Sequence, residues 1–430
     1  MSVAEQPSAT TATSRVVVAA WLLTSIFYFY QYAMRSAPAV MVPELTSAYG
    51  MTAVGVASLI GLFYYGYAPF SLVAGVAMDQ VGPRKVVPLG AATVALGAIL
   101  FSTGDPTLGS IGRFMQGMGG VFALIGAAYL VTTYMPVTRA ATMIGATQMF
   151  GMAGGSAGQF AVGPIIASGF SWSRFWLIMG VIGLPIAFFL FLLIPRPKAS
   201  PGGAHKASLG DALRGMGAVF VNPQSILCGL IAGLIFVPTT IFDMVWGVRY
   251  LQEAHDVPYS LAVLRSASVP FGWIIGCPLL GWVSDRIGRR KPVIIGAALV
   301  LLAALAMILF GPSDLLPPFT LGLIAGIASG AAMIPYTVIK EANRPEHSGT
   351  ATGVVNFLNF SMTALLGPMF ASRLIAASQG GERELGHYQS TFTPLLFGVA
   401  LAILLTLILR ETGPKVRRPS AAPAPELATS

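Results

Sequence analysis

The sequence predicts an all-α integral membrane protein of twelve transmembrane helices, arranged as two pseudo-symmetric six-helix bundles. Three observations predict it. Of the 430 residues, 55% are hydrophobic and only 10% charged, whereas soluble domains carry about a quarter charged residues. Apolar runs recur at the ~20-residue length that a bilayer core requires. Lys and Arg gather in alternate loops, which is the charge asymmetry of a multi-pass membrane protein.

Taken in order, residues 1–14 are a polar Ser/Thr/Ala tail without the charged start of a signal peptide. The apolar run that follows is too long for a cleaved signal core and reads as the first helix. Helices are expected near 16–42, 52–78, 86–103, 108–134, 140–168 and 174–195, forming a first bundle over 15–195. A Pro- and Gly-rich cytoplasmic linker spans 196–222, in which Ser208 to Phe220 has the pattern of an amphipathic surface helix. The second bundle, 223–410, holds helices near 224–250, 258–283, 292–311, 317–340, 349–377 and 390–410. Residues 411–430 are rich in Pro and Ala and are expected to be a disordered tail.

An even helix count puts both termini on one side. With that side cytoplasmic, 18 Lys and Arg fall in inside segments and 5 outside, while Arg35 and Arg113 lie within helices. The expected location is therefore the cytoplasmic (inner) membrane, or a specialised intracellular membrane, with the lipid bilayer as an obligatory partner. The excess of 25 Lys and Arg over 16 Asp and Glu resides in these loops and forms no aromatic-interleaved stripe, which argues against nucleic acid. Cys228 and Cys277 sit inside apolar stretches and have no zinc-type spacing. No metal site, cofactor motif or nucleophile–base pair is visible, so no enzyme is expected.

The chain contains an internal repeat. Gly75-Val-Ala-Met-Asp79-Gln-Val-Gly82-Pro-Arg84-Lys85 and Gly281-Trp-Val-Ser-Asp285-Arg-Ile-Gly288-Arg-Arg290-Lys291 match at Gly, Asp, Gly, Arg and Lys, 206 residues apart. A weaker echo pairs Ala141-Thr-Met-Ile-Gly145 with Gly349-Thr-Ala-Thr-Gly353. Asp79 and Asp285 fall at helix ends, where a carboxylate pairs with a neighbouring Arg or accepts N–H groups from a nearby helix start. The basic residues also suit anchoring to anionic headgroups.

These G-x-x-x-D-x-x-G-x-R-K loops resemble the signature loop of the major facilitator superfamily, and Gly112-Arg113-Phe-Met-Gln116-Gly117-Met-Gly119 resembles its fourth-helix motif. The resemblance implies transport by alternating access between two six-helix halves, with the solute near mid-membrane. It also implies coupling and gating roles for Asp79, Arg84, Lys85, Asp285, Arg290 and Lys291, which form a cytoplasmic latch holding the outward-facing state, and for Arg113.

Ionisable residues inside membrane helices are functional candidates by default, and here they are Arg35, Arg113 and Asp243. The stretch from Phe27 through Tyr28, Tyr32 and Arg35 to Met41-Val-Pro43-Glu44-Leu45 is similar to the first helix of sugar-phosphate and glycerol-phosphate permeases. In those permeases an Arg beside aromatic residues grips the anion. The planar guanidinium fork suits a carboxylate or phosphate. Those permeases also bring a second Arg from the seventh helix. Here Thr240, Asp243 and Trp246 occupy that region, so one Arg points to a monoanion, zwitterion or amphiphilic acid rather than a doubly clamped phosphate. Asp243 is equally suited to a cation, a proton, a substrate amine or an ion pair. Tyr65, Gln148, Tyr336 and Asn356 are further polar groups expected at the solute site.

The leading reading is a monomeric secondary transporter for a small anionic or amphiphilic solute, with protons as the candidate coupling ion. Two alternatives remain open. One is a permease for iron or another metal, as ion, chelate or siderophore, resting on Asp243, Glu44 and the methionines. The other is a non-transporting solute sensor of the same fold.

Overall fold

The computed structural model describes residues 15–196, 209–311, 318–379 and 381–415. The first half runs through α1 (Arg15–Ser36), α2 (Ala53–Gln80), α3 (Pro83–Phe101), α4 (Pro106–Tyr134), α5 (Ala140–Phe160) and α6 (Trp172–Leu193). The second runs through α7 (Pro223–Val237), α8 (Ser268–Ile287), α9 (Lys291–Phe310), α10 (Pro318–Ser329), α11 (Ser348–Ala377) and α12 (Leu385–Ile408). Between the halves a further helix, Leu209–Val221, occupies the linker. Among the described residues, eleven segments are long and apolar enough to cross a membrane. The remaining one, α5, is long enough, but its Gly, Thr and Gln residues make it less apolar.

Local sequence accounts for the helix starts. Thr52, Asp105, Ser171 and Asn222 each accept a backbone N–H from the first turn that follows, satisfying donors that have no partner within the helix. Pro83, Pro106 and Pro223 stand at first helical positions, where a missing N–H is harmless. Gly82 and Gly288, one in each repeated loop, have φ of 85° and 70°, a left-handed turn that favours glycine.

Several expected helices are broken, among them the first, the fifth (140–168, interrupted at Ala161), the seventh and the eighth (258–283, interrupted at Ala267). The first stops at Ser36 and not at 42, because Pro38 lies in a 3-10 turn (Ala37–Val40) and a separate short helix, Val42–Tyr49, follows. The seventh stops being α-helical at Pro238, widens into a π-helical segment over Pro238–Trp246, and continues as Gly247–His255. Proline cannot donate the i→i−4 bond and its ring crowds the preceding turn, so the helix changes pitch there. α10 similarly passes through a 3-10 turn at Gly330–Met333 before ending in Ile334–Glu341.

The two halves pack by the same rule. α1 packs on α5, α2 on α4 and α3 on α6; correspondingly α7 packs on α11, α8 on α10 and α9 on α12. The halves meet through two equivalent pairs, α2 with α11 and α5 with α8. Small residues permit that contact. A Cβ on Gly75 would stand 2.7 Å from the Gly349 carbonyl oxygen, and one on Gly281 would run into the carbonyl of Ala141.

Part of the expected tail is ordered against the second bundle. Glu411 accepts N–H bonds from Arg290 (2.7 Å) and Lys291 (3.1 Å), capping α9, and Thr412 donates to Glu341 at 2.6 Å. The remainder of that tail, 416–430, and the first fourteen residues lie outside the described residues.

Candidate functional site

Arg35 stands at the last turn of α1, half-buried where the two bundles face each other. Its Nε donates to the Tyr64 hydroxyl at 3.2 Å. The guanidinium carbon lies over three rings, Tyr32 at 4.6 Å, Tyr64 at 5.2 Å and Phe360 at 5.6 Å. Phe360 belongs to α11, so both halves build this pocket. Among the described residues no carboxylate lies within ion-pair range of Arg35, and its two terminal nitrogens donate to no protein acceptor. Cation–π contacts offset part of the burial of such a charge, but the donors remain available to an anion.

Arg113, fully buried in α4, holds Arg35 in place. It donates to the carbonyls of Met34 (2.9 Å), Arg35 (2.7 Å) and Ile60 (3.2 Å), to the Gln116 side chain (2.8 Å), and lies over Phe63. Its fork thereby fastens the last turn of α1, where chain bending leaves carbonyls without helix partners. The Asp105 carboxylate, at the start of the same helix, accepts from Thr107 and Leu108 N–H and caps α4.

The other expected residues divide. Tyr28 donates to Gln148 at 2.9 Å and its ring meets Tyr32 edge-on at 4.7 Å. Tyr336 donates to Asn356 at 3.0 Å, Asn359 donates to Tyr336 at 3.1 Å, and Asn356 reaches across the bundles to Ser71 at 2.9 Å. The Tyr67 ring links the two groups, 4.8 Å from that of Phe360. Thus Tyr28, Tyr32, Arg35, Gln148, Tyr336 and Asn356 belong to one polar and aromatic layer between the halves.

Tyr65 does not. It is 73% exposed on the outer side of α2, and Tyr64 takes the place expected for it. Thr240 returns its hydroxyl to the Phe236 carbonyl at 3.1 Å within its own helix. Trp246 carries the guanidinium groups of Arg249 and Arg383 on its face at 5.7 and 5.6 Å. Asp243 lines a separate cavity within the second bundle. Among the described residues no hydrogen bond, ion pair or ring contact joins these three to Arg35.

At the end carrying the repeated loops, each Asp binds the other half. Asp79 accepts from the N–H groups of Gly349 and Thr350 and from the Thr350 hydroxyl, each at 2.6 Å. Asp285 accepts from Thr142 N–H at 2.8 Å and from its hydroxyl at 2.7 Å. Both carboxylates thus sit on the positive start of a helix across the interface. Beyond this the copies differ. Arg290 is buried and paired to Asp285 at 2.6 Å and Glu341 at 2.8 Å. Burial works against its charge, but Glu341 and then Asp285 hold its pKa above the ordinary arginine value. Arg84 instead donates to the Ile194 carbonyl at 3.1 Å, and Lys85 is exposed. Lys291 reaches the Leu407 carbonyl at 2.8 Å. Reasoning from sequence missed Ser71, Phe360, Glu341 and Glu411. Only Ser71 carried a signal, continuing the Tyr64–Tyr67 face at helical spacing.

Two helical halves joined by matched contacts at one end, with a polar and aromatic layer around Arg35 between them, are the architecture of a membrane transporter. Residues 24–368 match the family model of the Major Facilitator Superfamily, and the chain belongs to that family. Among its relatives, the hexuronate transporter of Bacillus subtilis (strain 168) is 24% identical over 407 residues, covering 90% of this chain and 93% of that protein. The membrane sensor protein UhpC of Salmonella typhimurium is 23% identical over 420 residues, covering 91% and 90%. Among solved structures, the E. coli fucose:proton symporter FucP has a TM-score of 0.72 at 16% identity, covering 92% of this chain and all of that one. That likeness concerns the fold. The protein is a transporter-family membrane protein and not an enzyme.

Proposed function

We propose that this protein carries a small organic acid, held as its anion by Arg35 between the two bundles. The single observation behind this is a cation in the aromatic layer with, among the described residues, no acceptor at its two terminal nitrogens and no carboxylate counterpart. Burying a charge without a partner is unfavourable, and a carboxylate from the solute supplies the partner in fork geometry. Tyr32, Tyr64 and Phe360 give the solute apolar walls, while the Tyr336–Asn356–Asn359 group offers hydroxyl-recognising contacts on the opposite bundle. The name of the Bacillus hexuronate transporter favours a sugar acid within this class.

Transport proceeds by alternating access. The Asp79 and Asp285 contacts keep the charged end shut, which the asymmetry of Lys and Arg assigns to the cytoplasm, with both termini on that side of an inner membrane. Breaking them opens the site to the cytoplasm, driven by a gradient in which the proton is the coupling ion. The bundles act as units spanning 15–195 and 223–410, and the working species is the monomer.

The test is a ligand-stabilisation screen on purified protein, using D-glucuronate, a sugar phosphate, an amino acid and a ferric chelate. A selectively bound ligand raises the melting temperature by mass action. Stabilisation by glucuronate supports the reading; stabilisation by the ferric chelate alone overturns it. The UhpC relative motivates a second reading, a sensor that binds without moving solute. Binding without uptake into vesicles distinguishes it.

A further inference from the structure

A second cavity of about 240 Å³ lies within the second bundle, and no residue of the first half lines it. Its walls come from the π-helical segment Pro238–Trp246, the helix Gly247–His255, the short helix Tyr259–Ser266, and α8, α9 and α10. The solute reading leaves this cavity and its carboxylate, Asp243, without a task.

Asp243 is positioned with care for one oxygen and none for the other. Oδ1 accepts from the Ser266 hydroxyl at 3.4 Å, and a Cβ on Gly247 would stand 2.9 Å from both Oδ1 and the Ser266 oxygen. Oδ2 is buried without a hydrogen-bond partner among the described residues. An ionised carboxylate in this state forfeits water at one oxygen with nothing in exchange. A carboxylic acid protonated on Oδ2 forfeits far less.

The surroundings favour a proton over a metal ion. Among the described residues no three His, Cys, Asp or Glu side chains converge, and hard cations take about six oxygens or more. The titratable groups lining the cavity besides Asp243 are Arg265 on the short helix and Tyr250 and His255 on the helix after the π segment. α8, α9 and α10 contribute apolar or small residues such as Val269, Leu305 and Gly322. Arg265 makes no ion pair with Asp243 in this conformation, yet shares its cavity. His255 Nε2 lies 2.9 Å from the Tyr250 hydroxyl, a polar lead from the loop into the pocket. The carboxylate also rides on a π-helical segment, a conformation that returns to α-helix by a one-residue shift and turns its side chains by roughly 100°.

We propose that Asp243 is a proton-binding site of this carrier, separate from the solute site. Oδ2 takes a proton from water on one side and holds it in this pocket. It releases the proton to water on the other side when the Pro238–Trp246 segment rewinds and Arg265 meets the carboxylate. This rests on the transporter reading above and assigns its coupling ion a residue.

Two measurements test it. The first needs no solute: pH-difference infrared spectroscopy of the full chain in lipid. The wild type shows the C=O stretch of a protonated buried carboxyl; Asp243→Asn removes it, Ser266→Ala shifts it, and Arg35→Ala leaves it in place. A band that survives unchanged in Asp243→Asn overturns the proposal. The second measures D-glucuronate in proteoliposomes, where Asp243→Asn abolishes uptake driven by an imposed proton gradient but retains glucuronate counterflow. Equal gradient-driven uptake in Asp243→Asn and wild type also overturns it. If wild type moves no glucuronate, the solute reading fails and the infrared band still decides the proton site.

Discussion

Asp79→Asn tests how the charged end is held shut. The carboxylate accepts three bonds at 2.6 Å from the first turn of α11. Hydrogen bonds to charged groups contribute about 1.5–3 kcal/mol each. Asparagine with its oxygen at the Oδ2 position keeps both Thr350 contacts, but its amide nitrogen then faces the Gly349 N–H, so one of the three contacts is lost. Taking the lower value for that contact gives roughly 1.5 kcal/mol, because Asp79 is only partly buried. That corresponds to a change of about tenfold in the balance between closed and open charged ends. A spin-label pair at Thr138→Cys and Glu346→Cys, one exposed position on each half at this end, reports the separation in a Cys228→Ser, Cys277→Ser background. The wild type gives a single short distance by double electron–electron resonance, and Asp79→Asn adds a longer one. An unchanged distribution refutes the idea that these bonds set the equilibrium.

The remaining predictions concern the parts that position the latch and the site. Gly75→Ala forces a Cβ to within 2.7 Å of the Gly349 carbonyl; the same spin labels then move apart, with less effect from Gly61→Ala, where nothing lies within 4 Å. Arg113→Ala strips the donors from three carbonyls, at about 1–3 kcal/mol for each one left buried and unpaired; thermal unfolding in detergent shows the loss, and glucuronate binding falls with it. Arg290→Ala removes the cation that Asp285 and Glu341 share, a loss of about 3–5 kcal/mol for a buried ion pair broken on one side, whereas Arg84→Ala changes the melting temperature little. Because the Arg290 pKa is raised on folding, its contribution is complete below the ordinary arginine value and is lost only as pH rises through the still higher folded value. The Arg290→Ala stability deficit is therefore constant from neutral to moderately alkaline pH in denaturation measurements.

How much of this was legible in the sequence varies with the physics involved. Helix number and the matched loops were readable because bilayer thickness fixes segment length and the duplication left Asp79 and Asp285 in register. The echo at 141–145 and 349–353 was visible as well. What sequence did not reveal is that Thr350 receives Asp79 and Thr142 receives Asp285, because that pairing crosses the bundles. Pro38 and Pro238 marked the broken helices, yet only tertiary packing decides whether a proline kinks, ends or widens a turn. The choice between Tyr64 and Tyr65 turns on about 100° of helix rotation. Hydropathy alone does not resolve it, since a lipid-facing and a site-facing tyrosine score alike. Asp243 carried its ambiguity for the same reason. Its spacing from Thr240 was plain, but the π-helical turn moves it out of the register that a regular helix would give.

The central claim, an anion held by Arg35, is tested most directly by D-glucuronate uptake into proteoliposomes with wild type, Arg35→Lys and Arg35→Ala. Lysine keeps the charge and loses the fork. The account predicts strong uptake by wild type, weakened uptake with a raised KM for Arg35→Lys, and none for Arg35→Ala, at equal protein incorporation and with the spin-label distances of the charged end unaltered. Uptake by Arg35→Ala at the wild-type rate would contradict it.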